Sequence, residues 1–190
     1  MPRKRIGPES RIGSAKKELA EKLAAELKSN REFGQPVIYE HAFRTGKERV
    51  TVIWDAWHDV PLQERSATIL SAYELAEGPE SRDRIVLASG LTVPEAHAAG
   101  MLPYRIITAL RKNDPVTYDQ ARQAMLEEGG SQLLNPRTVQ LRFATEEEAM
   151  ASRQRLIQRF PRTDDVWMIE REITAQDLAE ARDWAQAEEG

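Results

Sequence analysis

The sequence predicts an α/β fold built on a mixed sheet, with an N-terminal α-β-β-α-β unit followed by alternating strand and helix units. Three observations predict it. Short runs such as Val139, Leu141 and Phe143, with Gln140 and Arg142 between them, carry the period of two of a half-buried strand. Between such runs lie segments with apolar residues three or four apart, the period of a helix. Thr92, Thr117 and Thr145 each stand three residues before a Glu or Gln, the spacing of a capping box at a helix start.

Taken in order, residues 1–13 hold Arg3, Lys4, Arg5 and Arg11 among prolines and glycines, which predicts a flexible basic arm. From Ser14 onward, Ala15, Leu19, Leu23 and Leu27 recur at four-residue spacing and predict a helix with one narrow apolar stripe. Residues 37–42 and 49–55 read as two strands of a hairpin around the turn-like Arg44-Thr45-Gly46-Lys47. Alternation turns Val50, Val52 and Trp54 to one face and Thr51, Ile53 and Asp55 to the other. Asp59 sits where an N-cap belongs and Pro61 in a first turn, so a helix with Leu62, Ile69, Leu70 and Tyr73 on its apolar side is expected to run to about Ala76. Gly78-Pro79 ends it.

Residues 85–89 form the next strand, and Thr92-Val93-Pro94-Glu95 opens a brief helix that stops at Gly100. Residues 104–110 are a strand, and Thr117 opens a helix to Glu128 before Gly129-Gly130. A strand at 139–143, a helix after Thr145 carrying Ala149, Leu156, Ile157 and Phe160 inward, a strand at 166–173 and a last helix from Thr174 complete the order. The strand-helix-strand unit at 139–173 predicts a crossover between parallel strands. Residues 14–190 are expected to form a single α/β domain, with possible subdivision near 78–84 or 129–136.

Composition narrows the function classes. Hydrophobic residues at 41% and charged residues at 31% of 190 are those of a globular protein, and a net charge of -4 argues against a basic surface covering the whole molecule. With no cysteine there is no disulfide, thiolate metal site or cysteine nucleophile, and a reducing cytoplasm is the expected setting. No apolar run approaches the roughly 20 residues of a membrane-spanning helix, and the basic first residues lead into no signal-like apolar stretch. No membrane partner is expected.

Chemistry concentrates in RVTVIWDAWHDVPLQER, residues 49–65, where a strand runs into a loop bearing Trp54, Asp55, Trp57, His58 and Asp59. A histidine beside carboxylates can act as an acid or base, because the carboxylate orients the ring and favours its protonated form. His58 is therefore the candidate catalytic group, with Asp55 or Asp59 orienting it and Trp57 and Arg65 as candidate ligand-binding residues. The competing reading gives these residues structural tasks: Asp59 as helix cap, Trp54 in the core and Asp55 at a strand end. His41, His58 and His97 fall on separate elements and lack the spacing of a metal pair, so neither metal nor cofactor is expected. Gly90 follows a strand, but SGLTVPEA has no phosphate-loop pattern.

The arm and first helix supply Arg3, Lys4, Arg5, Arg11, Lys16 and Lys17 as candidate contacts to nucleic-acid phosphates. Glu18, Glu21 and Glu26 interrupt the basic run, and no stacking aromatics interleave with it.

The α-β-β-α-β order of residues 14–89, with VTVIWDAWHDVPLQERSATILSAY and then RIVLASGLTVPEA, resembles the BolA-like arrangement, which is akin to KH-type domains. The resemblance implies a scaffold. In that family the arginine at the helix start is followed by histidine, whereas Arg65 is followed by Ser66, and the strand histidine of iron-sulfur partnership would fall near Val86. It therefore implies no metal ligands here, and the Gly-x-x-Gly loop of nucleotide-clamping KH domains is missing as well. The leading expectation is a noncatalytic binding or adaptor protein with a protein partner. The alternatives are a small enzyme acting through His58 and a nucleic-acid binder acting through the arm.

Overall fold

The computed structural model describes residues 14–29, 34–132 and 139–173. Within them the architecture is α/β, as expected, with helices around two small sheets. The chain divides into two compact units and passes between them several times. Unit 1 takes residues 1–31, 39–51 and 59–90; unit 2 takes 32–38, 52–58 and 91–190.

Unit 1 contains helix α1 (Ser14–Leu27), most of strands β1 (Val37–Ala42) and β2 (Glu48–Ile53), helices α2 (Leu62–Glu77) and α3 (Glu80–Arg84), and most of strand β3 (Ile85–Leu91). The strands form a sheet in the order β1-β2-β3. Gly46, at φ 72°, makes the turn between β1 and β2, where Phe43 N–H donates to Lys47 O at 2.7 Å. Helix α1 packs on α2 through Ala20, Leu23 and Ala24, and α2 buries Ile69, Ala72 and Tyr73. The Tyr73 hydroxyl donates to the Glu40 carboxylate, and burial together with that bond pushes the phenol well above its usual range.

Two local expectations for unit 1 are corrected. Asp59 does not cap α2, which begins at Leu62 with Pro61 in the cap position and without a side-chain cap bond. Pro61 is extended at ψ 144°, and a residue before proline is steered away from helical geometry, so the helix starts later than a cap at Asp59 would allow. Leu62, expected on the apolar side, is exposed, while Arg65 and Thr68 are buried. Helix α3 occupies the stretch near 78–84 where the sequence suggests only a possible subdivision.

Unit 2 contains α4 (Val93–Ala98), β4 (Tyr104–Thr108), α5 (Tyr118–Glu127), β5 (Ser131–Gln132), β6 (Val139–Phe143), α6 (Glu146–Arg159) and β7 (Trp167–Arg171). Thr92, Thr117 and Thr145 each close a capping box, with the Thr hydroxyl accepting from the N3 amide and the N3 side chain accepting from the cap amide. The sheet runs β5-β6-β4-β7, and β4 pairs antiparallel with both β6 and β7. Strands β6 and β7 are thus parallel to each other, but β4 lies between them and pairs with both. Ile106, Leu141, Leu156, Val166 and Trp167 form the core under α5 and α6. The last helix expected from Thr174 lies outside the described residues.

Candidate functional site

The loop after β2 resolves into specific tasks. Residues 55–57 form a 3-10 turn that resets the strand's alternation, so Trp57 rather than Trp54 is fully buried. Trp57 Nε1 donates to Val52 O at 3.1 Å, and its ring meets Trp54 edge to face at 5.3 Å. Asp55 N–H donates to Gln35 Oε1 at 2.7 Å, and Gln35 Nε2 returns a bond to Asp55 Oδ2 at 3.0 Å. His58 and Asp59 are exposed, and among the described residues the His58 imidazole makes no hydrogen bond or ion pair. In unit 1, Arg65 is buried; its Nε donates to Val60 O at 2.6 Å and its Nη1 to Gly90 O at 3.1 Å. Its guanidinium ties the entry of α2 to the end of β3.

Of the basic residues singled out for nucleic acid, Arg3, Lys4, Arg5 and Arg11 lie outside the described residues, as does the side chain of Lys16. Lys17 is exposed and stands 3.8 Å from Glu21, one turn on along α1.

Two features of unit 2 were not singled out in the sequence. The first is a charged cluster on the sheet face turned away from the core. Arg105 on β4 lies opposite Arg142 on β6 and Glu170 on β7. Arg105 holds Glu170 Oε2 through Nε at 2.8 Å and Nη2 at 2.6 Å, and reaches Glu172 Oε1 at 2.7 Å. Glu172 Oε2 also takes Arg142 Nη1 at 3.2 Å and lies 3.3 Å from His97 Nε2 on α4. The Arg142 side chain is 2% exposed. Its burial draws the guanidinium below its ordinary range, against the opposing pull of Glu172. Partial burial raises the Glu172 carboxyl, but the bond and charge of Arg142, with His97 and Arg105, outweigh that and hold it below the usual carboxylate range. Each cation has its anion, so the cluster fastens the end of β7 to β4, β6 and α4.

The second feature is the outer edge of β7. It is the last strand of its sheet, and among the described residues no strand is hydrogen-bonded to its far side. Glu172 N–H donates to Pro103 O and Ala109 N–H to Val166 O, so the even-numbered residues of β7 turn their backbone groups toward β4. By the alternation of an antiparallel ladder, the N–H and C=O of Ile169 face outward. Beside this edge lies a groove of about 310 Å³ lined by Met150, Arg153, Asp164, Trp167, Met168 and Ile169. Met150 and Met168 are exposed, and Arg153 closes the start of the edge by donating to Trp167 O at 2.7 Å and to Asp164 O at 2.5 Å.

The basic residues of α6 have particular partners as well. Arg155 and Arg159 bind Glu128 and Glu127 at the end of α5, leaving Arg153 at the strand edge. No sequence signal marks β7 as outermost, since strand order depends on the whole fold.

Among the described residues no group of three or more His, Asp or Glu side chains is placed to hold a metal ion, and no helix is long and apolar enough to cross a membrane. No protein-family model, curated protein or solved structure matches this chain.

Proposed function

We propose that this chain is a protein-binding module of the cytoplasm, acting through the outer edge of β7 and the groove beside α6. One observation carries the reading: the outward N–H and C=O of Ile169 stand next to a groove bearing the exposed side chains of Met150 and Met168. Extended segments bind such places by adding a strand, with main-chain bonds giving affinity and flanking pockets giving selectivity. Methionine suits a surface of this kind, because its flexible thioether adapts to different shapes. The BolA-like reading of residues 14–89 enters the proposal only as a scaffold.

A library of linear peptides displayed on phage tests it. Selected peptides are expected to shift the amide resonances of residues 167–171 and the methyl signals of Met150 and Met168, and to lose binding in Ile169→Pro. Selection of nothing above background, or perturbations confined to other elements, overturns the reading.

A further inference from the structure

We propose that Met150 and Met168 form a paired oxidation site, and that converting their thioethers to sulfoxides closes the groove beside β7 to its peptides. The second half rests on that groove being a binding surface and names what regulates it.

The placement of the methionines carries the inference. The chain has five of them, and no cysteine to react with an oxidant ahead of them. Met125 belongs to the core of unit 2 and is 3% exposed, Met101 is half-buried, and Met1 lies outside the described residues. Met150 and Met168, by contrast, are 55% and 47% exposed, and both line the groove of about 310 Å³ beside Ile169. Oxidation follows the access of the reagent to sulfur. Among the described methionines, the two most open to attack are therefore the two that line this groove.

The oxidant is hydrogen peroxide. A sulfur lone pair attacks one peroxide oxygen, the S–O bond forms as the O–O bond breaks, and the departing hydroxide takes the proton of the transferred oxygen to become water. Sulfur loses two electrons and the peroxide gains them. The product is a polar, chiral group where a flexible apolar one stood. Its oxygen holds water in the groove, and an apolar peptide side chain that displaces this water leaves the sulfoxide unpaired. Neither methionine belongs to the core of unit 2, so the fold is expected to survive the change that closes the groove.

The test treats the full chain with dilute hydrogen peroxide and follows each methionine in time by peptide mass mapping. Met150 and Met168 are each expected to gain one oxygen about tenfold faster than Met125, with the thermal midpoint retained. The oxidised chain should bind peptides selected on the β7 edge about tenfold or more weakly. Methionine sulfoxide reductases for both epimers, supplied with a dithiol, should restore binding: the dithiol becomes a disulfide, sulfur regains two electrons, and the oxygen leaves as water. The double variant Met150→Leu with Met168→Leu sets its own baseline affinity, which peroxide should leave unchanged.

Oxidation of Met125 as fast as Met150 and Met168 overturns the site. Selective oxidation that leaves peptide binding unchanged, or a loss of binding that the reductases do not reverse or that persists in the double leucine variant, overturns the control of the groove and leaves the binding reading standing. A chain that binds no peptide before oxidation overturns the binding reading and the control of the groove together, and the mass map then decides the oxidation site by itself.

Discussion

Arg142 Nη1 stands 3.2 Å from Glu172 Oε2, with the arginine side chain 2% exposed and the glutamate 39%. The cation is buried and its partner half in water, so the two ends of the pair respond differently to mutation. Removing one member of a fully buried pair costs about 3–5 kcal/mol, and exposed pairs contribute about 0–1. Glu172→Gln is expected to lie between, at about 1–2 kcal/mol, by the midpoint of chemical denaturation. Arg142→Met together with Glu172→Gln should recover part of that loss, because no guanidinium is then stranded. A double variant equal to the sum of the singles would show that the two are not coupled.

The same carboxyl sets a response to acid. Glu172 is held below its ordinary value of 4.5, so the unfolded chain binds its proton more readily than the folded one. Its contribution is present above pH 4.5 and is lost as pH falls through the lowered value. Glu148 has the opposite sign: burial raises its carboxyl despite bonds from Thr145 and Ala144, so its contribution is lost as pH rises above 4.5. Thermal midpoints measured across the acid range should fall less steeply below pH 4.5 in Glu172→Gln than in the wild type. An unchanged slope would remove Glu172 from the account.

Trp57 and His58 are neighbours with contrasting environments. Trp57→Ala should cost about 3–5 kcal/mol through the lost ring volume, and Trp57→Phe less, through an unpaired Val52 carbonyl. His58→Ala should fall within about 0.5 kcal/mol of the wild type. Equilibrium unfolding of the three variants checks the ranking, and a large loss from His58→Ala would reverse it.

Arg65→Lys keeps the charge and loses the planar fork, so at least one of the Val60 and Gly90 carbonyls goes unserved. The expected cost is about 1–3 kcal/mol, accompanied by faster amide exchange at residues 88–90. Exchange unchanged there would mean that the guanidinium does not hold the end of β3.

What the sequence made legible is what neighbours along the chain decide. Thr92, Thr117 and Thr145 each need only an acceptor or amide three residues on, and all three formed their boxes. The misreading of Asp59 had a local cause, the extended geometry around Pro61, whereas exchanging Trp54 for Trp57 followed from an unforeseen 3-10 turn. Helix α3 has no apolar repeat to announce it. The edge of β7 was illegible for a different reason: Val139, Leu141 and Phe143 show that β6 is a strand but carry no sign that β4 will sit between it and β7. Arg105 and Arg142 likewise look like solvent-facing residues until pairing sets them side by side against Glu170 and Glu172.

The repeated passage of the chain between its two units bears on synthesis and on dissection. Every residue of unit 1 has been made once Gly90 is added, whereas unit 2 holds residues 52–58 from early in translation and must wait for β7 before its sheet can close. The first unit can therefore fold while the ribosome is still working on the second, which must wait until β7 has been made. No single cut separates them cleanly: a fragment starting at Leu91 leaves Trp57 behind, so trimming to an isolated half would strip one unit of a fully buried aromatic ring.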